Sequence, residues 1–277
     1  TLVRKLIKSS GGARIGVESK DLAIMFTDIE DFAGITEYMN PQELMIQLCD
    51  YFDEMSKIIS QHHGTIDKYI GDSIMAFWGA PENDDETCLH ACQAALACQD
   101  KLNSLNKHWK GEGKQPFFTR IGIHHGVTLV GNLGSKERIN YSAIGDAPNT
   151  ASRLEAINKV YHTQIVISES VYKDVKGIYQ VRLLDQITVK GKYEPIRIYE
   201  LISSRFDDNI EAYNVQFEEA FNAYQHQNWE KAIGAFEKAL ELWPEDHVAY
   251  MFLERCQYLQ NNPPGEHWDG VWRYKTK

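Results

Sequence analysis

Two acids stand where a folded chain can hold them rigidly. Asp28 follows the apolar run Leu22-Ala23-Ile24-Met25-Phe26-Thr27, and Asp72 lies between two short β-rich runs, TIDKYI and SIMAFW. A carboxylate at the end of a buried strand is fixed at the sheet edge, and hard cations prefer such oxygen ligands. Two of them can hold a pair of Mg²⁺ ions, one activating a nucleophile and one neutralising a leaving group. Each acid also has an ordinary explanation. Asp28 can cap a following helix, and Gly71-Asp72 can be turn chemistry. Spacing alone favours the ordinary explanation. Cys88 and Cys92, four positions apart, can share a helix face, but His90 between them points elsewhere, so zinc is poorly supported at this pair. Buried, reduced thiols fit better. His125, in Gly-Ile-His-His, reads as packing or hairpin structure.

Along the chain, residues 22–27 read as a buried strand. Asn40-Pro41 introduces a helix with Leu44, Leu48, Tyr51, Phe52, Met55 and Ile59 at helical spacing. TIDKYI and SIMAFW, joined by Gly71-Asp72, read as a hairpin. A helix over roughly 84–106 precedes a soft segment, Lys110-Gly111-Glu112-Gly113-Lys114. Residues 117–124 and 127–132 read as a second hairpin around Gly126. Pro148 to Val160 is helical, and β-rich runs follow at 164–168, 178–189 and 196–202. Strands that alternate irregularly with helices, several of them in hairpins, predict an α+β sandwich with a mainly antiparallel sheet. Three segments result: a lead-in over 1–20, a β-containing domain over 21–203, and a helical tail over 205–277. In the tail Trp229, Ala232, Phe236, Ala239 and Pro244 have the offsets of the second helix of a tetratricopeptide-type repeat. The preceding helix lacks the usual Trp and Gly positions, so an α-helical hairpin is expected.

The totals narrow the class. A chain of 277 residues with 43% apolar residues buries a sizeable core, which excludes wholesale disorder. No stretch approaches the roughly 18 consecutive apolar residues of a membrane span, and no secretory leader is visible. A cytoplasmic location is expected, or the cytoplasmic part of a membrane-anchored sensor, since a chain starting at Thr1 can follow an upstream sensor domain. The net charge of −10 argues against nucleic acid as a partner. Residues 205–277 carry 13 acids and 7 bases, so the tail is the more acidic part and not the phosphate-binding one.

The wider pattern tips the balance for the two acids the other way. FTDIEDFAGITE, DKYIGDSIMAFWG, RIGIHHGVTLVGNLGS and NYSAIGDAPNTASRLE, followed by VKGK, stand in one order across residues 20–202. They resemble the class III adenylate and guanylate cyclases, and five blocks in register are far more specific than a single short motif. The resemblance implies the ferredoxin-like class III cyclase fold and a head-to-tail homodimer with two composite active sites. Asp28 and Asp72 fall on the metal-binding aspartates, and Ile29 on the residue whose carbonyl helps hold a metal. The implied cofactors are two Mg²⁺ per site, with Mn²⁺ as a substitute. Arg120 and Lys190 fall on residues that contact phosphate, and Phe32 lies in the turn whose amides cradle it. Asn149 and Arg153, from the opposite subunit, fall on the residues that orient the ribose and stabilise the transition state. Lys68 and Ser142 fall on the two positions that read the base.

Lysine only donates hydrogen bonds. Adenine N1 accepts one, whereas guanine N1 carries a hydrogen, so Lys68 suits adenine and opposes guanine. Ser142 can accept from the adenine 6-amino group. ATP is the expected substrate and cyclic AMP the product, with a guanylate cyclase or an inactive nucleotide sensor as the rival readings. A serine at position 142 resembles a bacterial subclass that includes bicarbonate-responsive enzymes. The family commonly has Gly-Phe-Thr where this chain has Asp31-Phe32-Ala33, which adds a negative charge beside the phosphate turn.

Overall fold

The computed structural model describes residues 16–135, 139–188, 195–265 and 268–272. They fall into two compact units, Thr1–Lys159 with Thr163–Val175, and Val160–His162 with Lys176–Lys277. The elements of the first run β1 (Gly16–Ile29), α1 (Phe32–Tyr38), α2 (Pro41–Gln61), β2 (Thr65–Ile70), β3 (Ser73–Trp78), α3 (Thr87–Gly111), β4 (Thr119–Gly134), β5 (Ile139–Ile144), α4 (Asp146–Tyr161), β6 (Ile165–Ser168) and α5 (Glu169–Val175). The second unit holds β7 (Gln180–Ile187), β8 (Ile196–Ser203), α6 (Asp208–Gln225), α7 (Trp229–Leu242) and α8 (His247–Asn261).

Within the first unit the strand order is β2-β3-β1-β4-β6, with β5 paired to β4. All neighbours are antiparallel except β4 and β6. The order β2-β3-β1-β4 with its interleaved helices is the expected ferredoxin-like α+β arrangement. Leu22, Ala23, Ile24 and Met25 are all fully buried, so β1 is covered on both faces. Leu22 and Ile24 share a cluster with Phe77, Val130, Ala147 and Ala151, which places α4 on that face. On the other face Tyr51 of α2 and Gln99 of α3 both bond to Thr119, through its hydroxyl and its carbonyl. The helix expected after Asn40-Pro41 forms as α2, and Asn40 caps it, its side chain accepting from Gln42 N at 2.9 Å. Gly71 takes φ 64 in the β2–β3 turn, a conformation cheap only for glycine.

The second hairpin does not form. Residues 119–134 are one strand, β4, because β1 offers an unbroken partner from Ile29↔Thr119 to Gly16↔Asn132. Gly126 stays extended within it, paired with Leu22. Two short helices, α1 and α5, and the strand β5 add to the elements that the residue pattern predicts.

In the second unit β7 and β8 pair antiparallel and the three helices bury Tyr213, Phe217, Phe221, Tyr224, Phe236 and Phe252. The tail therefore adds a third helix, α8, to the hairpin α6–α7; Asp246 caps it, accepting from Ala249 N at 2.7 Å. Ala232, Phe236 and Ala239, singled out by their offsets, are fully buried on α7. Strands and helices of this unit share buried ion pairs. Arg182 of β7 meets Glu200 at 2.6 Å and also Asp246, and Asp185 meets Arg255 at 2.7 Å. Among the described residues no helix is long and apolar enough to cross a membrane.

Candidate active site

The antiparallel register sets Asp28 of β1 opposite Arg120 of β4. Arg120 Nη2 donates to Asp28 Oδ2 at 2.8 Å, and Ser73 Oγ donates to Asp28 Oδ1 at 2.9 Å. The β2–β3 turn brings Asp72 alongside, where its Oδ2 accepts from the Ile29 amide at 3.0 Å. Partial burial, with the Asp28 charge added, pushes Asp72 above the usual carboxylate range. A third carboxylate joins them from α4. Glu155 Oε1 lies 3.2 Å from Arg120 Nε, and among the described residues neither atom makes a hydrogen bond. Desolvation first, and then Asp28, push Glu155 up to about 7. Three neighbouring carboxylates, two of them against one guanidinium, form a site short of positive charge, lined by hard oxygen donors. That is the chemistry of a divalent-cation site.

A second cluster lies in the same unit. The pairing of β2 with β3 slips between Ile66 and Lys68, leaving Asp67 as a bulge. Asp67 Oδ2 accepts from Ser142 Oγ at 2.7 Å and from the Ala143 amide at 3.1 Å. Lys68 Nζ donates to Ser142 Oγ at 3.1 Å and lies 3.3 Å from Asp67 Oδ1. Lys68 and Ser142, far apart in sequence, are thus brought together.

Helix α4 carries the remaining residues on opposite sides. Its inner side lies so close to β4 that a Cβ on Gly122 would meet Glu155 N at 2.1 Å and Ala151 O at 2.4 Å. Residues four apart on a helix share a face, whereas two apart they do not. Glu155 therefore points to the carboxylates, while Asn149 and Arg153 lie on the outer side, exposed and half-buried respectively. Phe32 begins α1, half-buried, after Asp31, which takes φ 52 in the left-handed region. Ile29 is buried directly after Asp28. Lys190 lies outside the described residues.

The adenylate and guanylate cyclase catalytic domain family matches residues 17–208. The chain belongs to this family. Adenylate cyclase 1 of Rhizobium meliloti is 40% identical to it over 201 residues, which are 73% of this chain and 30% of that protein. The chain spans between 11% and 37% of the length of three curated adenylate cyclases that it matches. Among solved structures, the adenylyl cyclase CyaB from P. aeruginosa aligns with TM-score 0.64 and 34% identity, covering 70% of this chain and 99% of that one. The guanylyl cyclase Cya2 aligns with TM-score 0.64 and 30% identity, covering 69% and 96%. Cyclases of this class use divalent metals, in keeping with the oxygen-rich cluster.

Sequence reasoning missed Asp67, Ser73 and Glu155 in this cyclase domain. Glu155 left one trace, an acid on the same helix face as Ala151 and Asn158. The bond of Asp67 to Ser142 needs the β2 bulge, which the residue pattern does not announce.

Proposed function

We propose that this chain converts ATP into 3′,5′-cyclic AMP and pyrophosphate at two composite sites of a homodimer. The observation that carries the choice of ATP is the triangle of Asp67, Lys68 and Ser142. A carboxylate only accepts, so Asp67 commits the Ser142 hydrogen, and Ser142 faces a ligand as an acceptor. Lys68 faces it as a donor. Adenine offers the matching acceptor N1 and donor 6-amino group; guanine offers a donor and a carbonyl in their place, leaving Lys68 and Ser142 without partners on the base.

Asp28, Asp72 and the Ile29 carbonyl would hold the divalent ions, Mg²⁺ with Mn²⁺ as a substitute. When bound, these supply the charge that acidifies the ribose 3′-hydroxyl and offsets that of the phosphates. The 3′-oxygen attacks the α-phosphorus in line, and pyrophosphate leaves. Arg120, already turned towards Asp28, binds phosphate, with Lys190 and the backbone at Phe32. Asn149 and Arg153 reach in from the second subunit; the forked, permanently charged Arg153 stabilises the developing negative charge.

Incubating the chain with ATP or GTP, with Mg²⁺ or Mn²⁺, and identifying the product tests the reading. Cyclic AMP from ATP is expected. Cyclic GMP as the main product overturns the base assignment, and no cyclic nucleotide from either substrate replaces the enzyme by a nucleotide sensor.

A further inference from the structure

Away from the paired aspartates, three residues that the proposed reaction does not use converge from three elements. Cys88 lies in the first turn of α3, His125 in the middle of β4 and Asp174 near the end of α5. One ligand atom from each lies within 4.8 Å of the others. His125 Nδ1 is 4.0 Å from Asp174 Oδ2, and the Cys88 thiol faces the same carboxylate. We propose that Cys88, His125 and Asp174 bind Zn²⁺ through three protein ligands, with a fourth position open to water.

Thiolate, imidazole and carboxylate together make a borderline-soft donor set, suited to Zn²⁺ and unlike the all-oxygen sets of Mg²⁺ and Ca²⁺. Zinc ligands at about 2.0–2.3 Å from the metal require donor atoms roughly 3–4 Å apart. The three groups therefore need to close by only about 1 Å. Their burial is graded, from a Cys88 that is 2% exposed to side chains of His125 and Asp174 that are 25% and 53% exposed. A cation thus has a path from solvent to a thiol shielded from it. In the absence of a cation, burial and the facing Asp174 push the Cys88 thiol far up; a bound metal displaces that proton. Ser170 Oγ donates to the His125 carbonyl at 2.8 Å, which steadies the strand behind the imidazole.

The site is separate from the carboxylate cluster. His125 pairs with Ala23, five residues before Asp28 on β1, or about 16 Å along the strand. Odd and even positions of a strand face opposite sides, so His125 lies on the other face from Arg120. Zinc here would tie the start of α3 and the end of α5 to β4.

Titrating Co²⁺ into the metal-free full chain, with Zn²⁺ as competitor, tests this. A thiolate-to-cobalt charge-transfer band is expected at one equivalent, displaced by Zn²⁺. Cys88→Ser should abolish the band, and His125→Gln should weaken Zn²⁺ binding by about 100-fold or more, beyond the 10–100-fold of an outer-shell loss. Cys92→Ser and Asp28→Asn should leave the band intact. Cys88→Ala, with its fold checked by circular dichroism, repeats the first loss. No charge-transfer band in the wild-type chain, or a band that survives in both Cys88 variants, overturns the proposal.

Discussion

In the cluster of Asp67, Lys68 and Ser142 the Ser142 hydroxyl already donates to Asp67 and accepts from Lys68, which leaves a single lone pair for a ligand. Replacing Asp67 by Asn puts a donor where only acceptors stood and releases the Ser142 hydrogen. Discrimination of ATP over GTP, read as the ratio of kcat/KM values, should fall by about 10-fold or more, the worth of one unmade buried hydrogen bond. An unchanged ratio would remove Asp67 from the specificity argument. Glu155 makes a prediction in pH. Its folded value of about 7 lies above the ordinary 4.5, so the folded chain binds the extra proton. Stability in chelator should therefore fall as pH rises from about 4.5 to about 7 and then level off. Glu155→Gln should flatten that fall in a series of thermal melts, and an identical slope in both proteins would count against the assignment.

The closeness of α4 to β4 is an element-scale property that depends on Gly122. A methyl there meets the helix backbone, which cannot turn aside as a side chain can. Gly122→Ala should destabilise the fold by about 1–3 kcal/mol, the usual cost of overpacking, and should also lower kcat because α4 carries Asn149, Arg153 and Glu155. Denaturant unfolding and steady-state kinetics on one preparation check both effects. A stable variant with full activity would mean that α4 tolerates displacement. The bulge at Asp67 acts at the same scale, since pairing without the slip would turn its side chain to the other face. In the second unit the ion pairs Arg182–Asp246 and Asp185–Arg255 bind strand to helix. Breaking one such buried pair from one side leaves an uncompensated charge, at about 3–5 kcal/mol.

For the whole molecule the decisive feature is the division of α4, with Glu155 inward and Arg153 outward. Under the proposed reaction, Asp28 and Arg153 meet across a dimer. Asp28→Ala and Arg153→Ala should each lose about 100-fold or more in kcat as pure proteins, the scale of a lost charge-stabilising group. Mixed with subunit exchange, they should regain part of the activity through heterodimers with one intact site. Exchange without recovery would rule out the composite site.

The order of the five blocks, the strand before Asp28, the hairpin carrying Asp72, the helix start at Asn40-Pro41 and the fold class were all legible in the sequence. Each rests on local pattern: apolar periodicity, turn residues and short motifs. Tertiary structure alone decided that Gly126 continues a strand, since only pairing with β1 distinguishes an extended glycine from a turn. It also decided that Glu155 joins Arg120, that Asp67 orients Ser142, and that Cys88 has partners in His125 and Asp174 rather than in Cys92. Those meetings join residues from strands and helices distant in the chain, and sheet register and helix packing, not spacing, bring them within reach.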